Sequence, residues 1–185
     1  MNNRFLSTLT LVAFIAAIWS GCAIAQKDEH KDEQVNKAIC VLVPTAGNKA
    51  SGIVTFTQAG GKVKIVADVA GLTASAKHAI HVHEFGDVTK PDGTGAGGHY
   101  NPEGHEHALP HKAMRHAGDL GNLTADADGR ARYEITVDNV TINGHKNPIL
   151  GRAIIVHAKA DDGGQPVGNA GARIAQGVIG IANPK

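Results

Sequence analysis

Six histidines and one aspartate recur along this chain in a pattern that a hydrophobic core does not need. They are His81-Val82-His83, His99, His107, His116-Ala117-Gly118-Asp119 and, far downstream, His157. Imidazole is the commonest metal ligand, and a lone carboxylate among imidazoles suits zinc. Seven donors are too many for one four-coordinate ion and fit two ions that share a ligand. His81 and His83 are two apart, so a strand would carry both rings on one face and turn Ile80 and Val82 to the core. His99, His107, His116 and Asp119 fall in a Gly/Pro-rich stretch with little apolar content, where a bound ion would give the segment a reason to be ordered. The other five histidines, His30, His78, His105, His111 and His145, have no partner in this pattern and read as solvated.

The elements that must hold these donors read as short strands. Ala38–Val43 is an apolar run stopped by Pro44, and Ile53–Thr57 is β-branched and aromatic. In Lys62–Val69, Val63, Ile65, Ala67 and Val69 alternate with Lys62, Lys64 and Asp68. Gly60-Gly61 sits between these two segments as a hairpin turn. Ala79–His83, Arg132–Val137, Ala153–Val156 and Ala172–Ile181 complete the set, with Asp128-Gly129 as a turn signal. No stretch has a helical stripe. Many short strands and 23 glycines indicate an antiparallel β-sandwich or barrel. Only 4% of residues are aromatic, so Val, Ile, Leu and Ala must build the core. Two long segments break the rhythm, Glu84–Gly118 and Lys159–Gly171, and long loops in a compact domain are usually functional.

Length and charge set the frame. The 185 residues fit one domain plus a leader. Arg4, the apolar run Phe5–Trp19 and Ala23-Ile24-Ala25 have the form of a secretory signal peptide, with cleavage after Ala25. Ser20-Gly21 before Cys22 leaves a lipoprotein anchor as the alternative. Residues Gln26–Lys37 are polar, charged and aperiodic and read as a disordered arm, so the folded domain is placed at residues 38–185. An exported location, periplasmic or extracellular, follows as an expectation. The 18 basic and 17 acidic residues nearly balance, which argues against a nucleic-acid partner. Loss of Cys22 with the leader would leave Cys40 as the one thiol and no internal disulfide. Gly93-Thr94-Gly95-Ala96-Gly97-Gly98 satisfies a dinucleotide-binding pattern, but His99-Tyr100-Asn101-Pro102 opposes the helix such a site needs. Asn122-Leu123-Thr124 and Asn139-Val140-Thr141 match glycosylation sequons, a weak pattern.

Several segments together resemble the Cu,Zn superoxide dismutase family. His81–Asp87 is similar to its copper-ligand signature, and Gly98–Pro102 to its bridging-histidine segment. His116–Asn122 is similar to its last zinc-ligand segment, and Gly168–Arg173 with Gly177–Ile181 to its C-terminal signature. The resemblance covers Ala38 to Ala182. It implies an eight-stranded Greek-key sandwich or flattened barrel, with a long metal-binding loop and a short electrostatic loop. It further implies one copper per subunit on His81, His83, His99 and His157, and one zinc on His99, His107, His116 and Asp119. Asp161 would hydrogen-bond His81 and His107 from behind, and Arg173 would dock the superoxide anion. The implied reaction turns superoxide into dioxygen and hydrogen peroxide. Copper cycles between oxidation states, zinc stays redox-silent, and the shared His99 takes up and releases a proton. A homodimer is implied by Phe85–Asp87, Ile149–Arg152 and Val178–Ile181, which resemble interface strips.

The chain also departs from that family. The usual disulfide between loop and last strand would join positions 93 and 176, which are Gly93 and Gln176 here. Losing such a bridge typically costs ~2–5 kcal/mol, so metals and loop contacts should order Glu84–Gly118. The loop Asp162–Gly168 is short and Val167 replaces a small hydroxylated residue, leaving anion steering to Arg173 and Lys159. The rival readings are a non-catalytic copper- and zinc-binding module for buffering or delivery, and a structural adhesion domain on the same fold.

Overall fold

A computed structural model describes residues 34–183. The expected leader and most of the polar arm lie outside the described residues. Eight strands run in chain order as β1 (Lys37–Pro44), β2 (Ser51–Ala59), β3 (Lys62–Ala70), β4 (Lys77–His83), β5 (Asp119–Thr124), β6 (Ala131–Val137), β7 (Ala153–His157) and β8 (Arg173–Ile181). All pairings are antiparallel, in the order β5-β4-β7-β8-β1-β2-β3-β6. The chain crosses between the two halves of the sheet after β3, β5 and β6, which is the Greek-key manner of connection. The end strands β5 and β6 approach each other, and Tyr133 Oη on β6 donates to Leu120 O on β5 at 2.6 Å. The sheet therefore nearly closes into the flattened barrel that the resemblance implied.

Local sequence explains the strands. On β3 the alternation is realised, with Val63, Ile65, Ala67 and Val69 buried. Gly60 and Gly61 adopt φ of +55° and +76°, the left-handed geometry a two-residue hairpin needs. Phe56 from β2, Leu42 from β1, Ile65 from β3 and Ile154 from β7 fill the centre. β5 was not among the segments that propensity picked out. Its sequence Asp119-Leu120-Gly121-Asn122-Leu123-Thr124 lacks β-branched alternation and contains Gly121 at φ +87°. Pairing with β4 makes it a strand, an instance of tertiary context overriding propensity. Packing also reaches upstream of Ala38, since Val35 packs on the core and its N–H donates to Asn143 Oδ1 at 3.1 Å.

His78 differs from its expected solvated state. It is 1% exposed, and its ring links two backbone groups. Nδ1–H donates to His157 O at 2.9 Å, and Nε2 accepts from Thr73 N at 3.2 Å. It therefore ties the approach to β4 to the end of β7, where His157 sits.

Cys40 lies on the inner face of β1, fully buried, in the position expected of an unpaired core thiol. Burial pushes its thiol up to about 12, which suppresses the nucleophilic thiolate. The native protein should therefore resist alkylation at Cys40 near pH 8 and react fully once unfolded. Intact-mass measurement after iodoacetamide treatment with and without denaturant checks this, and fast native modification would contradict the buried placement.

Candidate metal centre

Three strands, β4, β5 and β7, and one loop bring the seven donors together. β4 supplies His81 and His83 near its end, and β7 supplies His157 at its last residue. The two strands are neighbours, with His83 opposite Ala153 and Ile80 opposite Val156. The loop between β4 and β5 then folds back on β4. Tyr100 N–H donates to Val82 O, Val82 N–H to Gly118 O, and Gly118 N–H to Tyr100 O, each at 2.9 Å. A Cβ on Gly118 would stand 2.2 Å from Val82 O, so only glycine permits that approach. An isolated bridge pairs His83 with His99. A register shift between Ala79 and His81 then sets Asp119 opposite His81. The six histidines are at most 7% exposed, and Asp119 is fully buried.

The donors form two groups, His81/His83/His99/His157 and His99/His107/His116/Asp119, whose ligand atoms lie within 4.8 Å of one another in each group. His99 belongs to both. In the second group three imidazole nitrogens surround one carboxylate oxygen. Asp119 Oδ1 is 3.1 Å from His99 Nδ1, 3.0 Å from His107 Nδ1 and 3.3 Å from His116 Nδ1. His99 Nδ1 and His116 Nδ1 are 3.4 Å apart. A tetrahedron with bonds of about 2.0–2.1 Å has edges of about 3.3 Å, so these spacings match a zinc-sized ion at the centre. Asp119 Oδ2 points away and accepts from the N–H groups of Ala108 and His116. In the first group, His83 Nε2 and His157 Nε2 face each other at 3.4 Å.

The nitrogens on the far side of the rings are occupied. His83 Nδ1–H donates to Gly97 O at 3.0 Å, and His157 Nδ1–H to Gly171 O at 3.3 Å. Asp161 accepts from His81 Nε2–H on Oδ2 at 3.0 Å and from His107 Nε2–H on Oδ1 at 2.9 Å. These bonds place the ring protons outward and leave the inward nitrogens bare. Two of those, His81 Nδ1 and His107 Nδ1, are buried without a hydrogen-bond partner. His107 Nδ1 is close to Asp119 but off the line a hydrogen bond requires. Orphaned buried nitrogens are costly unless a cation completes them, and this fits the residues to two metal ions.

Electrostatics agrees with neutral rings at His81, His83 and His157. Burial lowers His81 to about 4 and His157 to about 3, and holds His83 well below its usual range. His107 differs. Burial opposes its charge, but the carboxylates of Asp119 and Asp161 outweigh burial and raise it to about 9. Both carboxyls stay well below the ordinary range; burial works against them, but the imidazoles and backbone N–H groups around them prevail.

Arg173 stands beside the first group. Its guanidinium donates to Gly93 O and to Gly97 O, both at 2.6 Å. Gly97 O is the atom that also receives His83 Nδ1–H, so one carbonyl positions both side chains. Arg173 also lines a surface hollow with Thr45, Asp92 and Thr94, whereas Lys159 is exposed on the strand-end loop. The glycine-rich run that satisfied a dinucleotide pattern is a 3-10 turn, Thr94–Ala96, and serves this arginine.

Sequence reasoning missed the clamps behind the ligands. Asn122 accepts from Asp161 N on Oδ1 at 2.7 Å and donates through Nδ2 to Asp161 O at 2.9 Å. Gln165 does the same for His107, accepting from its N–H at 3.2 Å and donating to its O at 2.7 Å. Gly168 has to be glycine, since a Cβ there would lie 2.2 Å from Asp161 Oδ1. No spacing rule marks these residues, because each is defined by a tertiary contact. Both sequon asparagines are in use as well, since Asn139 Oδ1 accepts from Arg115 Nη2 at 3.1 Å. His105 is half-exposed against Arg115 O, while His111 and His145 are exposed as expected.

An antiparallel barrel with two adjacent buried donor groups, a shared imidazole and a guanidinium at one of them defines a two-metal β-barrel protein. Residues 50–179 match the family described as copper/zinc superoxide dismutase (SODC). A superoxide dismutase [Cu-Zn] of Schizosaccharomyces pombe is 43% identical over 155 residues, covering 79% of this chain and 98% of the relative. One from Paramecium bursaria Chlorella virus 1 is 44% identical over 182 residues, covering 94% and 92%. The chain belongs to the copper/zinc superoxide dismutase family, an enzyme family whose cofactors are copper and zinc.

The loop segments differ in what holds them. Residues near 84–100 have many backbone ties, whereas 103–115 has few, among them Gly104 N to Asn101 O and Lys112 N to Leu109 O. Chelating the metals should therefore raise amide exchange by on the order of tenfold across 103–116, with a smaller change across 84–98. Hydrogen exchange of the loaded and stripped protein measures this. Equal protection in both states would show that metals do not order the loop.

Proposed function

We propose that the chain catalyses the disproportionation of superoxide, with copper held by His81, His83, His99 and His157 and zinc by His99, His107, His116 and Asp119. Four imidazoles suit Cu(II), and a set that includes a carboxylate suits zinc. Bound copper supplies the one-electron redox couple, and bound zinc supplies a redox-silent positive charge. The chain's residues do the rest. Arg173 draws the anion to the mouth of the first group and orients it, through donors fixed by Gly93 and Gly97. His99 has Nδ1 committed to the Asp119 side, which leaves Nε2 to carry a proton on the other. Two superoxide anions and two protons give one dioxygen and one hydrogen peroxide. His99 supplies one of those protons and solvent the second. Asp161 keeps His81 and His107 in the required tautomer.

The observation that carries this reading is Gly97 O, which holds His83 and Arg173 together. A module that only stores or delivers metal has no use for a guanidinium anchored beside a ligand, and an adhesion domain has no use for either. In the metal-loaded protein, Arg173→Ala should keep both ions and lower superoxide consumption about tenfold, the scale of electrostatic guidance. His83→Ala should lose copper and nearly all activity. Wild-type activity should fall only shallowly with salt, since Arg173 and Lys159 alone steer. Parent-like activity in either variant would sink the corresponding assignment.

Export and dimerisation extend this reading. The signal-like segment supports a soluble exported enzyme beginning at Gln26, in preference to a lipid anchor at Cys22. For the dimer, exposed apolar residues gather on one face. Val41 is 59% exposed, Phe85 58% and Ile181 65%, with Val43, Ile53 and Val178 also open. The expected interface strips meet there, since Gly151 N–H donates to Ile179 O and Gly86 abuts Gly151 O and Val178. A contiguous patch of this kind marks an interaction site. Sedimentation equilibrium should give twice the subunit mass, and Val41→Glu should give the monomer. Intact mass should match residues 26–185 without lipid. A monomeric parent or an added lipid mass would overturn the respective part.

A further inference from the structure

We propose that Gln176 is the positioning residue for Arg173, its side-chain amide replacing a covalent tie between β8 and the loop. The proposal rests on the anion-docking reading of Arg173. Gln176 is a buried polar side chain, 4% exposed, on the same strand as Arg173 and three residues beyond it. Its Nε2 donates to two loop carbonyls, Lys90 O at 3.2 Å and Val88 O at 3.4 Å. Its Oε1 is buried without a partner. The amide cannot be turned over, because Oε1 would then face two carbonyl oxygens.

The contact reaches the guanidinium through one turn. Lys90 O also accepts from Gly93 N–H at 3.0 Å, closing Lys90-Pro91-Asp92-Gly93. Pro91 O accepts from Ala46 N–H at 2.7 Å and pins the turn from the other side. Gly93 O then receives Arg173 Nη1 at 2.6 Å. A Cβ on Gly93 would stand 3.2 Å from Arg173 Cδ, so the loop backbone lies directly on the arginine side chain. If residues 88–93 lift from β8, Gly93 O leaves with them and one arm of the guanidinium loses its anchor. Gln176 touches neither the ligands nor the hollow in front of Arg173, so it acts through the loop.

The test uses the metal-loaded full chain as parent, Gln176→Met, Arg173→Ala and the double variant, with azide as a small monoanionic probe. Gln176→Met keeps side-chain volume and removes both donors. It should retain copper and zinc, raise amide exchange across 88–93, and weaken azide binding and superoxide turnover about fivefold, the scale of one or two lost hydrogen bonds. In the Arg173→Ala background the same change should still raise exchange but have no further effect on azide or turnover. Gln176→Asn, polar but too short, should move each readout in the same direction. Unchanged exchange in Gln176→Met overturns the tie. A full azide and turnover effect of Gln176→Met in the Arg173→Ala background overturns action through the arginine. Loss of both metals in both Gln176 variants overturns a positioning role in favour of a general structural one. Azide binding unaffected by Arg173→Ala overturns the docking reading beneath the proposal. That failure is distinct because exchange still responds to Gln176→Met while affinity does not.

Discussion

The carboxylate of Asp161 binds two imidazoles that come from different parts of the fold, His81 on a rigid strand and His107 in the loop. Each of its oxygens takes one ring N–H, so one side chain sets two tautomers and turns two bare nitrogens inward. That single contact couples the two donor groups from behind, as His99 couples them from the front. It is expensive by itself, because a buried carboxylate must be compensated by several donors. The structure provides them: Gly163 N–H adds a third bond to the carboxylate, on Oδ1, and Asn122 grips the Asp161 backbone on both sides. Only glycine at 168 leaves room for this carboxylate, since a Cβ there would lie 2.2 Å from Oδ1.

Strand and loop divide the work according to their stiffness. His81, His83 and His157 sit on paired strands whose register fixes their separation. His107 and His116 sit in a segment with few backbone bonds, so they depend on Asp119, Asp161 and Gln165 for position. A site built this way has three of its donors spaced by strand register. Its other side is ordered in proportion to what fills it. His107 lies between two carboxylates, Asp161 accepting its Nε2–H and Asp119 facing its bare Nδ1.

What the sequence made legible follows from what repeats locally. Alternation placed β3 because side-chain period is a backbone property, and the donors stood out because four of the seven crowd one Gly/Pro-rich segment while two more share a strand face. β5 was not legible, since Asp119-Leu120-Gly121-Asn122 has no strand signature apart from its partner β4. His78 was misread for the same reason, its two hydrogen bonds being to residues 73 and 157. Asn122, Gln165 and Gln176 are ordinary amides in one dimension. Each becomes specific only where a backbone carbonyl or N–H is brought opposite it.

The missing disulfide illustrates how such amides substitute for covalent chemistry. A bridge of that kind is worth ~2–5 kcal/mol, largely by restricting the unfolded chain. Gln176 contributes two neutral hydrogen bonds of about 0.5–1.5 kcal/mol each, and Arg173 two charge-assisted ones of about 1.5–3 kcal/mol each. These totals are of the same order, so the loop can be held without the bridge. The difference lies in when the restraint acts. A disulfide constrains the chain before it folds, whereas these hydrogen bonds exist only once β8 and the loop have met. The loop of this chain should therefore be fastened late and reversibly, and its fastening should not depend on the redox state of any thiol.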